Sequence, residues 1–271
     1  MTQRLDAALA ERGLARSRTH AQTLIANGLV AVDGRPVVKA SAQVDDAATI
    51  TVDASDHYVS RAAHKLIAAL DAFDVEVSGR VALDVGASTG GFTQVLRERG
   101  ASPVIALDVG HGQLAASVRD DPHVLVVEGF NARELSRETL AAATGNALVP
   151  DLVTGDLSFI SLGHVLPAFA KTASVDADHV LLVKPQFEVG RTGIREGVVT
   201  NPGLRADAVA GVLWAAWDAG LGTCGVIASP IVGTHGNREF VAHLRSIHAS
   251  ARRGANPTEW LSTVNRLAGA A

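Results

Sequence analysis

The sequence predicts an α/β fold: a parallel-rich sheet covered by helices on both faces, with a small α+β domain ahead of it. Three observations carry that reading. Short apolar runs at 81–85, 103–108, 124–127, 151–157 and 179–185 alternate with segments of helical spacing, the pattern of a buried parallel sheet. A glycine-rich turn, 86–91, joins the first run to a helix. Gly86, Asp108, Asp156 and Lys184 all fall where a run ends, and in such sheets ligands gather at the carboxyl ends of the strands.

The totals set bounds on this fold. With 271 residues, 47% of them apolar, the chain can fill the core of one large domain, or of one medium and one small. A single cysteine, Cys224, excludes an intramolecular disulfide framework and a cysteine-rich zinc site. The ten histidines show no metal-ligand spacing, so no metal is expected. Asp6, Glu11 and Arg12 interrupt the N-terminus before a signal-peptide core can form, and no run of about 18 apolar residues exists. A cytoplasmic protein is expected. The net charge of −4 argues against indiscriminate coating of nucleic acid but leaves room for a local basic face.

In chain order, 5–12 reads as a short amphipathic helix stopped by Gly13. Ser17 is placed to cap a second helix over 18–27, ended by Gly28. Runs 29–32 and 36–38 flank a hairpin turn at Asp33-Gly34, and 49–52 is a further strand. This module is too small for a deep site, and its charge is uneven. From 1 to 39 there are six basic residues (Arg4, Arg12, Arg16, Arg18, Arg35, Lys39) against three acidic ones. Arg16 and Arg18 open the second helix, where backbone N–H groups also point outward, so a phosphate can use both. A solvated charged face accounts for the charges equally well. Arg4-Leu5-Asp6, Gly13-Leu14-Ala15-Arg16-Ser17-Arg18, Ala21, Ile25, Gly28-Leu29-Val30, Val32-Asp33-Gly34 and Val37 together resemble the αL RNA-binding module of ribosomal small-subunit protein four. The resemblance implies that this domain, 1–53, grips structured RNA. The polar stretch 54–59 reads as a linker and 60–271 as the second domain.

The second domain opens on a helix over 60–73, with Arg61, His64 and Lys65 at its start. Strand 81–85 and its glycine turn follow, and the turn allows three readings. Gly86-Ala87-Ser88-Thr89-Gly90 satisfies the nucleophile elbow of hydrolases. Residues 86–91 nearly satisfy the dinucleotide fingerprint, with Ser88 in place of the second glycine. Asp84, Gly86 and Gly90 resemble the first motif of S-adenosylmethionine-dependent methyltransferases. The elbow is weakened because Ser88 follows the domain's first strand and no His-Gly-Gly run precedes it, although His235 follows. Asp108 ends the next strand, about 20 residues on, where nucleotide sites place a carboxylate for ribose hydroxyls. Helical segments fall around 112–119, 134–143, 161–171 and 201–218, and 225–229 and 240–244 can supply closing strands.

Lys65, Asp156, Lys184 and Glu239, in that order around such a loop, resemble the constellation of ribose 2′-O-methyltransferases. Their surroundings extend the likeness. Val59-Ser60-Arg61-Ala62-Ala63-His64-Lys65-Leu66, Asp108-Val109-Gly110-His111-Gly112-Gln113-Leu114, Asp156-Leu157-Ser158-Phe159-Ile160-Ser161-Leu162 and Lys184-Pro185-Gln186-Phe187-Glu188-Val189-Gly190 are similar to the TlyA family, rRNA 2′-O-methyltransferases once classed as haemolysins. The likeness runs nearly end to end. It departs at Tyr58, where the family carries tryptophan in an Arg-Ala-Trp-Val pattern, so a coupling role for the linker is less expected here.

The resemblance implies a Rossmann-like class I methyltransferase domain that binds S-adenosylmethionine and methylates cytidine ribose in small-subunit rRNA, large-subunit rRNA or both. A ribose hydroxyl is a poor nucleophile and must lose its proton as it attacks the methyl group. A lysine whose pKa is depressed by a second lysine can take that proton or stabilise the forming alkoxide. Lys184 is implied as that group, with Lys65 and Glu239 orienting it and the hydroxyl, and Asp156 pairing with Lys184 near the methyl donor. For the cofactor, Gly86, Ala87, Ser88, Thr89, Gly90, Gly91 and Phe92 are expected against the methionine part, Asp84 at its amino group, Asp108 at the ribose and Asn131 on the adenine side. Ser88 and Thr89 serve equally as helix caps. Arg191, Arg195 and Arg238 lie in loops after catalytic elements and can meet RNA phosphates alongside Arg4, Arg16, Arg18, Lys39 and Arg61, though each also reads as a solvated surface residue. Two other classes compete. A membrane-active haemolysin has no long apolar span or barrel-like alternation to support it. An RNA-binding protein with an inactive methyltransferase domain is opposed by the four intact charged residues.

Overall fold

The structure, a computed structural model, describes residues 2–15, 17–26, 28–52, 57–190, 197–233 and 236–270. The chain divides into two units, Met1–Arg61 and Ala62–Ala271.

In the first unit, β1 (Thr2–Arg4) runs into α1 (Leu5–Glu11), and α2 (Arg18–Ala26) follows. Ser17 Oγ accepts from the His20 N–H at 3.1 Å, the cap expected of it. Then come β2 (Val30–Val32), β3 (Arg35–Pro36), β4 (Gln43–Asp45) and β5 (Ile50–Val52). Asp33 and Gly34 both have positive φ, 50° and 75°, as a two-residue hairpin turn requires, and Val32 pairs with Arg35. The return strand is shorter than the expected 36–38, and the pairing of β1 with β4 carried no sequence signal. Leu5, Leu9, Ile25, Val30, Val44 and Ile50 close a small core of their own.

The second unit is built on seven strands. Its elements are α3 (Ala62–Phe73), β6 (Ala82–Val85), α4 (Gly91–Glu98), β7 (Val104–Leu107), α5 (Ala116–Arg119), β8 (Val124–Val127), α6 (Arg137–Thr144), β9 (Leu152–Gly155), α7 (Leu166–Thr172), β10 (Asp178–Val183), α8 (Pro185–Glu188), α9 (Pro202–Asp218), β11 (Leu221–Ala228), β12 (Phe240–Ser246) and α10 (Leu261–Ala268). The sheet order is β11-β12-β10-β9-β6-β7-β8. From β10 to β8 all neighbours are parallel; β12 runs antiparallel to both β10 and β11. Every residue of β6, β7, β9 and β10 is buried, which accounts for their unbroken apolar runs.

Side chains alternate across the sheet. Leu83, Val85, Ile105, Leu107, Val153, Leu181 and Val183 share one core with α6, α7, α9 and α10. Asp84 points the other way, where Thr93 of α4 donates to it. Strand order reverses at β6: the chain steps out through β7 and β8 and returns to β9 on the far side. Ligands bind at such a switch point, beyond the carboxyl ends of the strands. At the opposite rim Asp178 accepts from Arg80 Nη1 at 2.6 Å and lies 2.7 Å from His243 Nε2, tying β10, β12 and the 75–80 segment together.

Candidate active site

Four parallel strands stop one residue short of a candidate residue: Gly86 follows β6, Asp108 follows β7, Asp156 follows β9 and Lys184 follows β10. The reversal of β12 brings a strand beginning to the same rim. Val183 pairs with Phe240, so Glu239, just before β12, stands beside Lys184. Lys65 reaches in from the first turn of α3.

These four charged side chains form one connected row. Lys65 Nζ donates to Glu239 Oε2 at 2.6 Å and lies 3.9 Å from Asp156 Oδ2. Lys184 Nζ lies 2.6 Å from Asp156 Oδ1 and donates to Ser158 Oγ at 2.8 Å. Lys65 is 5% exposed, Lys184 8% and Glu239 4%. Charges this deeply buried persist only when paired, and here they alternate in sign along the row.

Beside the row is a cavity of about 590 Å³, lined among others by Gly86, Ser88, Asp108, Asn131, Asp156 and Phe159. That volume suits a small-molecule ligand. Asp108 is aimed into it by two backbone donors, Ser88 N–H to Oδ2 at 2.8 Å and Gly110 N–H to Oδ1 at 2.7 Å. Ser88 Oγ donates to Gln113 Oε1 at 3.3 Å. Asn131 lines the cavity and also accepts from the Arg133 N–H at 3.1 Å, capping the short turn Ala132–Glu134. Gly86 has φ 83°, and a Cβ there would sit 3.1 Å from the Asp156 carbonyl oxygen. Gly90 has φ 99°, and a Cβ there would sit 2.9 Å from Leu114 Cδ1. The first glycine lets the loop approach the site, and the second lets it pack on the 114–118 segment.

The loop differs from expectation in three ways. Gly90, not Ser88 or Thr89, is the N-cap of α4, and no side chain caps it. Ala87, Gly91 and Phe92 are buried in packing, and Thr89 is exposed away from the cavity lining. Asp84 has no exposed surface and does not line the cavity. Its oxygens accept from Thr93 Oγ1 at 2.7 Å and Thr154 Oγ1 at 3.1 Å. Burial pushes its carboxyl up to about 7, against the lowering effect of the two threonines.

Sequence reasoning missed several residues here. Ser158 holds Lys184, and Gln113 holds Ser88. Gly233 packs so closely on the Glu239 carboxylate that no side chain fits. Phe159 is 91% exposed with φ 64°, an unfavourable conformation for a bulky residue. Its ring centroid lies 5.2 Å from that of Phe187, whose ring in turn is 5.9 Å from Lys184 Nζ. The Phe159 ring is thus held outward at the edge of the charged row, touching Phe187 on one side.

Of the residues expected to meet RNA, Arg4 and Arg18 converge on Asp6. Arg4 Nε and Arg18 Nη2 donate to it at 3.0 and 3.3 Å, and Gln22 Nε2 at 2.9 Å. Covered by these side chains, Asp6 has no exposed surface, and the Arg4 bond holds its carboxyl well below the usual range. Both arginines remain exposed, as do Lys39 and Arg238, whereas Arg61 is half-buried. Arg16, Arg191, Arg195 and His235 lie outside the described residues. Among the described residues no group of side chains could hold a metal ion, and no helix is long and apolar enough to cross a membrane.

The chain is similar to known proteins over most of its length. The FtsJ-like methyltransferase profile matches residues 58–246 and the S4 domain profile residues 3–50. It is 52% identical over 246 residues to a 16S/23S rRNA (cytidine-2′-O)-methyltransferase TlyA of Mycobacterium tuberculosis, covering 90% of each chain. It is 36% identical to Hemolysin A of Brachyspira hyodysenteriae, covering 89% of this chain and 98% of that one. A solved Streptococcus thermophilus protein described as a hemolysin superposes with TM-score 0.75 at 34% identity, covering 99% of this chain and 96% of that one.

Proposed function

The chain belongs to the FtsJ-like methyltransferase family, among its TlyA members, and we propose that it methylates the ribose 2′-oxygen of cytidine in ribosomal RNA with S-adenosylmethionine as methyl donor. The observation that carries this is the buried row Glu239–Lys65–Asp156–Lys184 at the edge of the cavity. The cavity fits the donor: Asp108, gripped from behind by backbone N–H groups, keeps lone pairs for two ribose hydroxyls, and Leu107, Val109, Phe130 and Ile160 offer apolar walls for a base. Gly86 leaves the loop backbone open to the methionine part. Asp84, buried outside the cavity lining, holds Thr93 of α4 and Thr154 of β9.

When bound, S-adenosylmethionine supplies an electrophilic methyl group, whose bond to sulfur breaks as the ribose oxygen bonds to carbon. Lys184 Nζ takes the hydroxyl proton or, as an ammonium, stabilises the oxygen as its charge develops. Asp156 anchors Lys184, and Lys65, held by Glu239, supplies a second positive charge beside the developing alkoxide. Phe159 is a platform on which the target base, turned out of its stack, lies against a ring. The N-terminal domain, 1–53, holds the rRNA, with Asp6 fixing Arg4 and Arg18 as a rigid pair of phosphate donors.

The test is transfer of labelled methyl to ribosomal subunits, with mapping of 2′-O-methyl positions. Lys184→Ala should lose about 10²–10⁴ in rate while binding S-adenosylmethionine normally by calorimetry. A variant that transfers methyl as fast as the wild type removes Lys184 from the reaction.

A further inference from the structure

Lys184 Nζ has two fixed neighbours. Asp156 Oδ1 is 2.6 Å away, and Ser158 Oγ accepts a hydrogen bond from it at 2.8 Å. Both come from the turn after β9, the turn that ends in Phe159 with φ 64°. Ser158 also lines the cavity. The lysine nitrogen is tetrahedral: beyond its carbon it has three directions, each a hydrogen or the lone pair. We propose that Ser158 is a positioning residue for the methyl transfer: its hydrogen bond fixes one of these directions while the Asp156 carboxylate holds the nitrogen by charge, so that a remaining direction faces the ribose hydroxyl.

A carboxylate alone would leave the terminal group free to turn about its last carbon–nitrogen bond. A second anchor removes that freedom, and the turn sets the angle between the two anchors before any ligand binds. A hydroxyl suits the task in a way a second carboxylate does not. Being neutral, it accepts an N–H from the amine and from the ammonium alike, so the remaining direction, lone pair or new N–H, stays on the ribose hydroxyl before and after the proton moves. The other charged groups near Lys184 act through Asp156: Lys65 lies 3.9 Å from its second oxygen, and Glu239 holds Lys65. Glu188, on α8 beside Lys184, is turned to Ser161 Oγ and the Leu162 N–H.

The inference rests on Lys184 acting at the ribose hydroxyl, and the experiment separates the two. Ser158→Ala, Ser158→Cys and Ser158→Thr are compared with Lys184→Ala for kcat, KM for ribosomal subunits, S-adenosylmethionine Kd and Tm. Ser158→Ala and Ser158→Cys should lose about 10–100-fold in kcat, with Kd and KM within about twofold of wild type on the same reasoning. Ser158→Thr should recover most of the rate. A kcat unchanged in Ser158→Ala overturns the inference. So does a loss matched by weaker donor binding or a lower Tm, which would make Ser158 a cavity wall. If Lys184→Ala is fully active, the proposed mechanism and the inference fall together; if Lys184→Ala is inactive while Ser158→Ala keeps the wild-type rate, the inference alone fails.

Discussion

The Lys65–Glu239 pair gives the sharpest quantitative test. Two unit charges 2.6 Å apart attract by about 6 kcal/mol at an effective dielectric of about 20. Desolvation consumes much of that gain, yet removing one partner strands the other, at a cost of about 3–5 kcal/mol for a buried pair. In Glu239→Gln the amide oxygen still accepts from Lys65, and Asp156 still attracts it from 3.9 Å. The lower end, about 3 kcal/mol, is therefore expected, which for a unit of this size lowers Tm by about 6–12 °C. Lys65→Met should cost a similar amount, because it leaves Glu239 buried without its donor. The double variant has no charge left from the pair and should lose about 3 kcal/mol rather than the additive 6, a coupling of about 3 kcal/mol. Calorimetric melts of the four proteins in one buffer measure this. Raising the salt concentration should leave the coupling in place, since the pair is shielded from solvent ions. Strict additivity, or a coupling erased by salt, would mean that the pair is not formed as described.

Three further outcomes follow from the site. Gly86→Ala forces a Cβ against the Asp156 carbonyl at φ 83° and should weaken S-adenosylmethionine binding at least about tenfold by calorimetry, whereas Gly90→Ala meets only the Leu114 and Val118 side chains and should chiefly lower Tm. Asp84, raised to about 7 when folded against about 4 when unfolded, binds more protons in the native state between those pH values, so it withdraws stability as pH rises through that window; Asp84→Asn should remove this slope, and parallel Tm profiles from pH 4.5 to 8 would refute it. Phe159→Ala should cut methylation of ribosomal subunits about 10–100-fold with donor affinity unchanged, while Phe159→Trp keeps most of the rate; equal rates for Ala and wild type would end its role as a base platform.

The sheet was legible because its central strands are buried on both faces, so 81–85 and 179–185 could hardly be anything else. Asp108, Asp156 and Lys184 were legible for a related reason: each stands where an apolar run stops. Glu239 came from the family resemblance, since its place depends on the direction of β12, which no local pattern encodes. Ser158 was hidden because serine in a turn is ordinary, and only the arrival of Lys184 from another strand gives it a partner. Asp84 sits differently from what its place in the motif suggests. A motif aspartate at a strand end looks like a ligand, but the alternation of side chains turns it to the α4 face, where Thr93 and Thr154 occupy it. Arg4 and Arg18 read as independent cations until the fold of the first unit joined them through Asp6. Helix α10 escaped notice because its neighbours in space, α9 and β11, lie far back in the chain.

The place of β12 has a consequence for how this protein is made. It is the last strand in the order of the described residues, yet it lies inside the sheet, between β10 and β11. While residues up to 228 are emerging, β11 has no neighbouring strand to join, β10 keeps an open edge, and Lys65 has no Glu239 to balance it. The second unit can complete its sheet only after β12 has slid between two others, so competence to methylate arrives late. Chains truncated before β12 should lack Glu239 and with it the closest partner of Lys65.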